Sequence, residues 1–175
     1  MRDSSEWKPT SYRTHTIDQV ARNGEKLVGT KVTVAGYAET VRGRRAICFL
    51  MLRDGTGKIQ AFLKKDNMDE ELFDSIQSAT RESTIQVTGK VAMKRAPKVA
   101  EGDPVPPPEF EVNVESGDIL AHADTPLPLG VTDDVRVGLD VRLDNRHLDV
   151  RRSHVNAMFQ LRTASCLYNW GLCDK

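Results

Sequence analysis

The chain of 175 residues is long enough for one domain of ordinary size, or for one domain and the beginning of another. Its 25 Lys and Arg are balanced by 25 Asp and Glu, so a net charge of zero excludes a whole-chain basic signature for nucleic acid while leaving room for a local patch. Three cysteines, Cys48, Cys166 and Cys173, have no C-x-x-C spacing and no nearby His to complete a zinc set, so reduced thiols and no metal site are expected.

The N-terminal stretch MRDSSEWKPTSYR is polar and broken by Pro9. It has neither the apolar centre of a signal peptide nor a membrane span, so a soluble, cytoplasmic protein is expected. Residues 1–30 read as an extension with a short helix. From Lys31 the pattern becomes strand-like: KVTVAGYAETV alternates Val32, Val34 and Gly36 with polar partners, the two-residue period of a half-buried strand. A basic turn, Arg42-Gly43-Arg44-Arg45, is predicted to follow. AICFLMLRD is a denser apolar run ending in the turn signal Asp54-Gly55-Thr56-Gly57, and KIQAFLKK returns as a third strand, which predicts a hairpin.

Between Met68 and Ala79, the side chains of Met68, Leu72, Phe73 and Ile76 share one helical face, with Asn67 or Asp69 available as the cap. STIQVTGKVAM alternates Ile85, Val87 and Val91 around a glycine suited to a bulge. KRAPKVAEGDPVPPPE holds five of the eight prolines and reads as a long exposed loop, after which EFEVNV supplies a fifth strand through Phe110, Val112 and Val114.

Three strands, a helix, a strand, a long loop and a strand is the order of a five-stranded OB-fold barrel, here spanning 31–121, mainly β, with the helix between strands three and four. Such barrels bind oligonucleotides on strands two and three, between the loop joining the first two strands and the loop joining the last two. Those loops carry RGRR and KRAPK, so the flat net charge hides two basic lips. Phe49 on strand two is the candidate for stacking on a base, although the pattern equally allows a core ring. Gln60 points opposite to Ile59 and Ala61, and its amide can donate and accept toward a base edge; a solvated strand glutamine reads the same way. Glu111 can accept from a base or simply face water. Arg44, Arg45 and Lys94 are phosphate candidates on electrostatic grounds.

RLDNRHLDVRR at 142–152, followed by SHVNAMFQLRTASCLYNW, resembles the junction at which the anticodon-binding barrel of archaeal and eukaryotic cytosolic aspartyl-tRNA synthetases meets their class II catalytic domain. TPLPLGVTDD resembles that family's linker, and FLMLRDGTGKIQAFL and RESTIQVTGKV resemble its barrel, although LRDGTG is shared by several synthetases. The resemblance implies that Phe49 stacks on an anticodon base, Gln60 bonds the central uridine, Glu111 reads another base and Arg42 meets the anticodon backbone. It implies a tRNA partner with a GUC anticodon and, for the whole enzyme, a homodimer that uses ATP and Mg to attach aspartate. The family's ATP-binding motifs are not found in these 175 residues, so no catalytic residue and no cofactor are expected in this chain. Asparaginyl-tRNA synthetases are the second match, sharing LRDGTG and an NRH triplet.

On this reading residues 122–150 form a linker and 151–175 open the catalytic domain as a helical tail. Val155, Met158, Phe159, Leu161 and Leu167 predict an amphipathic helix there. In the junction, Arg142, Asp144, Arg146, Asp149, Arg151 and Arg152 are expected to form ion pairs, with Leu143 and Leu148 as a small apolar anchor. Two rival functions remain open: a general single-strand binder, which would need more aromatics along the groove, and a protein-interaction module that kept the barrel and lost RNA.

Overall fold

A computed structural model describes residues 12–94, 109–131 and 136–173, the side chains as far as Trp170. The chain divides into two compact units, one reaching to Asp124 and the other beginning at Thr125. Five strands, β1 (Lys31–Arg44), β2 (Ile47–Arg53), β3 (Lys58–Lys64), β4 (Thr84–Met93) and β5 (Phe110–Ala121), close into a barrel in the order β1-β2-β3-β5-β4. All pairings are antiparallel except β3 with β5. Closure removes the exposed edges that an open sheet would present. The sequence therefore folds as the mainly β, OB-type barrel expected of it.

Alternation builds the core. Val32, Val34 and Ala38 of β1, Cys48, Leu50 and Leu52 of β2, and Ile59, Ala61 and Leu63 of β3 all point inward and are buried. Ile85, Val87, Val91, Val112 and Val114 complete the interior from β4 and β5. Burial in this apolar setting pushes the Cys48 thiol upward from its ordinary pKa. The bulge expected near Gly89 is present, as the β4–β5 register shifts between Thr88 and Gly89. A Cβ at Gly89 would collide with the Asn113 carbonyl, so only glycine permits this approach.

Two helices pack on the barrel. α1 (Ile17–Leu27) starts in a capping box formed by Thr16 and Gln19, and buries Ile17 and Val20. Asp54 ties its start to the β2–β3 turn, accepting from the Ile17 amide at 3.1 Å and from the Gly57 amide at 2.9 Å. α2 (Glu70–Gln77) lies between β3 and β4; Asp69 is its cap and Phe73 and Ile76 its buried face.

The second unit holds α3 (Leu139–Asp144), α4 (Arg146–Asp149) and α5 (Ser153–Cys173). Asp149 is fully buried and accepts from Arg142 Nε at 2.9 Å, from Arg142 Nη2 at 3.3 Å and from Arg146 Nη1. The Arg142 bond, with the charges of Arg142, Arg146 and Arg152 nearby, holds the Asp149 carboxyl below its ordinary pKa and raises that of Arg142.

Three expectations are corrected. Leu148 is buried but Leu143 is 58% exposed, so only one leucine anchors the junction; Asp144 is exposed and makes no ion pair among the described residues. α5 is a helix, yet not one with a single apolar face. Met158, Phe159, Leu161, Leu167, Tyr168 and Trp170 are all exposed, and at about 100° per residue they spread around its circumference, leaving Val155 as the buried one. The basic turn is the third: β1 continues through Arg44, so only Arg45 and Ala46 make the turn.

Candidate nucleic-acid interface

The pleat that buries one set of side chains turns the other set outward, and on β2 and β3 that outer set carries the candidate chemistry. Phe49 is 43% exposed, which removes the alternative of a core ring. Opposite it on β3 lies Phe62, with ring centroids 5.3 Å apart and planes inclined by 42°. On the other side Phe49 pairs in register with Arg42 of β1. One step along, Gln60 pairs with Met51 of β2 and, across the parallel ladder, with Glu111 of β5. Gln60 Nε2 donates to Glu111 Oε2 at 2.9 Å. Phe49, Gln60, Glu111 and Arg42 are thus brought together on one outer surface of the barrel.

Beside Phe49 the surface sinks into an open depression of about 530 Å³ lined by Glu39, Thr40, Arg42, Phe49, Met51, Lys58 and Gln60. Glu39 accepts from Lys58 Nζ at 2.7 Å, and its backbone carbonyl accepts from Arg81 Nε at 3.1 Å. Sequence reasoning missed Glu39, Thr40, Lys58 and Phe62. Period-two alternation was signal enough for Lys58 and Phe62, which share the face of Gln60. Glu39 and Thr40 gave no such signal, because the β1–β2 register shifts between Ala38 and Thr40 and breaks the alternation there.

The basic rim is built differently from the expected loop. Arg42 and Arg44 project from β1 itself, and Arg45 sits at the hairpin tip with φ 53°, a left-handed conformation that favours glycine. All three are exposed, and none makes an ion pair among the described residues. Lys94 is placed otherwise: its Nζ bonds Glu109 Oε2 at 2.6 Å. The rest of the second lip, residues 95–98, lies outside the described residues. Among those described, no group of three or more His, Cys, Asp or Glu could hold a metal, and no helix is long and apolar enough to cross a membrane.

An outward aromatic beside hydrogen-bonding side chains and unpaired guanidinium groups is the surface that an OB barrel offers to unstacked nucleotides. The family model described as an OB-fold nucleic acid binding domain, tRNA anti-codon, matches residues 32–120. The chain belongs to this family. This anti-codon OB-fold chain is 42% identical over 134 residues to an aspartate–tRNA(Asp/Asn) ligase of Haloferax volcanii, covering 77% of the chain and 29% of the relative. It is 39% identical over 153 residues to an aspartate–tRNA(Asp) ligase of Thermococcus kodakarensis, covering 87% and 32%. The chain spans about a third of the length of these curated relatives. Among solved structures, an aspartyl-tRNA synthetase of Entamoeba histolytica matches with a TM-score of 0.74 at 25% identity, over 95% of this chain and 37% of that one. An asparaginyl-tRNA synthetase of Pyrococcus horikoshii matches with 0.71 at 27% identity, over 91% and 35%.

Proposed function

We propose that this chain is the anticodon-reading module of an aspartate–tRNA ligase, holding the unstacked anticodon while chemistry elsewhere in the whole enzyme joins aspartate to the tRNA, with ATP as its energy source. The observation that carries the reading is the outward Phe49 lining a depression together with Gln60 and Arg42, an arginine with no ion pair among the described residues. One base stacks on the Phe49 ring, a contact worth about 1–3 kcal/mol. Gln60 meets the edge of that base, and Arg42, Arg44 and Arg45 neutralise phosphates of the loop. Nothing in this surface performs a reaction; its output is selection.

A GUC anticodon is the expected ligand. The Asp/Asn naming of the Haloferax relative and the asparaginyl structural match favour a second reading, in which the module accepts GUU as well. Titration of the full chain with stem-loops bearing GUC or GUU, and with an unrelated single strand, tests this. Tighter binding of GUC than of the unrelated strand is expected. Comparable binding of GUC and GUU establishes the dual reading; equal binding of all three makes the protein a general single-strand binder, and no binding at low salt removes the RNA function.

A further inference from the structure

We infer that Gln77, the last residue of α2, is a positioning residue for the basic rim: its side chain props the end of β1 from the inner face, so that Arg42 and Arg44 are held in place on the outer one. The inference rests on the RNA-binding function proposed above and adds to it a residue that itself touches no RNA.

β1 changes character along its length. As far as Tyr37 it pairs with β4 on one side, and the Ala38 amide and carbonyl then bond Ser83 and Glu82. A side-chain bond from Arg81 Nε to the Glu39 carbonyl follows. From Thr40 to Arg44, β2 is its only strand partner among the described residues. The arginines of the rim therefore stand on an arm whose backbone is held along one edge.

Pairing decides which way the arm faces. Arg42 lies opposite Phe49 and Arg44 opposite Ile47, all on the outer face, whereas Gly43 lies opposite the buried Cys48 and is turned inward. Two residues before it on that face, Val41 packs against the apolar core. Gly43 meets Gln77 instead. A Cβ at Gly43 would stand 2.2 Å from Gln77 Nε2 and 2.6 Å from its Cγ, so the glutamine side chain fills the space above the bare Cα. Phe73 and Ile76 are buried, which fixes the helix from which this prop extends. The tip is fastened to the same helix by a second route: the Lys65 amide donates to the Ala46 carbonyl at 2.9 Å, and Lys65 Nζ pairs with Glu70 Oε1 of α2 at 2.6 Å. An arm released from α2 would have to be ordered again, with its arginines, each time RNA bound. Holding it beforehand spares that cost.

The test measures affinity of the full chain for the GUC stem-loop at low salt. Gln77→Ala should weaken binding about threefold to tenfold, the cost of ordering the arm on the RNA. Alanine is the better helix former, so α2 is not weakened by the change. Gln77→Met, which fills the same space without an amide, should recover most of the loss. Gly43→Ala should weaken binding too, since its methyl displaces the prop, and should add less than about twofold to Gln77→Ala. The deciding measurement is made in the Arg42→Gln, Arg44→Gln double variant, where Gln77→Ala should have almost no further effect because the groups it positions are gone. An equal loss with and without the arginines would make Gln77 a purely structural residue, and full affinity in Gln77→Ala would remove its role altogether. Phe49→Ala separates the two levels. If it weakens binding while Gln77→Ala does not, the RNA-binding function stands and the prop alone is wrong; if Phe49→Ala is without effect, the function beneath the inference falls and the inference with it.

Discussion

The barrel rim and the segment from α3 to the start of α5 are both rich in arginine, and they use it in opposite ways. Arg142 and Arg146 converge on the buried Asp149, and their charge is consumed inside the protein. Arg42, Arg44 and Arg45 are exposed with no ion pair among the described residues, so their charge is left for another molecule. The difference separates an arginine that holds the fold from one that recognises a ligand. Local sequence does not make that distinction, because RGRR and RLDNR are both rich in arginine; whether a carboxylate is buried within reach decides it.

The largest expected effect lies in the buried cluster. Asp149→Ala would remove the acceptor shared by two partly exposed guanidinium groups, which water can solvate in its place, so the cost is that of the lost charged hydrogen bonds, about 1.5–3 kcal/mol. Denaturant unfolding followed by helical signal should show this loss, while affinity for the GUC stem-loop changes less than about twofold. Acid should act on the same contact. The carboxyl of Asp149 is held below its ordinary pKa when folded, so its stabilisation is present above the unfolded value and is lost as pH falls through the lowered folded value. Asp149→Asn should flatten the stability profile over that acidic window, and an unchanged profile would mean the cluster contributes nothing to folding.

Phe49→Ala gives the reverse pattern. The ring is largely at the surface, so global stability should change little, but stem-loop affinity should fall by about 1–3 kcal/mol as the stacking face disappears. Gln60→Ala should weaken binding within the same range through its lost hydrogen bonds to the base. Loss of affinity accompanied by an equal loss of stability would move Phe49 to the structural side of the comparison.

The barrel was legible in the sequence because each strand satisfies a local rule. Alternation at Val32, Val34, Ile59 and Ala61 marks an inner face, and Asp54-Gly55-Thr56-Gly57 marks a turn. By the same rule Gln60 was placed outside, whereas the pattern left Phe49 open between the outer face and the core until its 43% exposure decided it. What failed depends on pairing between strands. The extra residues that carry β1 through Arg44 are held by β2, where Arg42 faces Phe49 and Arg44 faces Ile47, and no property of RGRR announces that partner. The shift at Ala38–Thr40 brought Glu39 into the depression for the same reason. In α5 the apolar residues were found, but at about 100° per residue the five named already spread over about two thirds of the circumference, so they share no single face.

The smallest effects come from the rim and carry the clearest contrast in sign. Binding through phosphates should weaken linearly in log salt, each contact adding about 0.7 to the slope on a single strand. Arg42→Gln and Arg44→Gln should each lower the slope by about that amount. Arg45→Gly should do so too, and it should also change stability in the other direction. Arg45 occupies φ 53°, which costs an L-residue on the order of 1 kcal/mol and costs glycine nothing. Glycine returns part of that gain through its freer unfolded chain, so the net is about zero to 1 kcal/mol in favour of the variant. A variant that is at least as stable yet binds RNA with a shallower salt dependence would show that the tip arginine is kept for its ligand at the expense of the turn. A variant that loses stability would assign the same residue to holding the hairpin, on the side of Arg142 and Arg146.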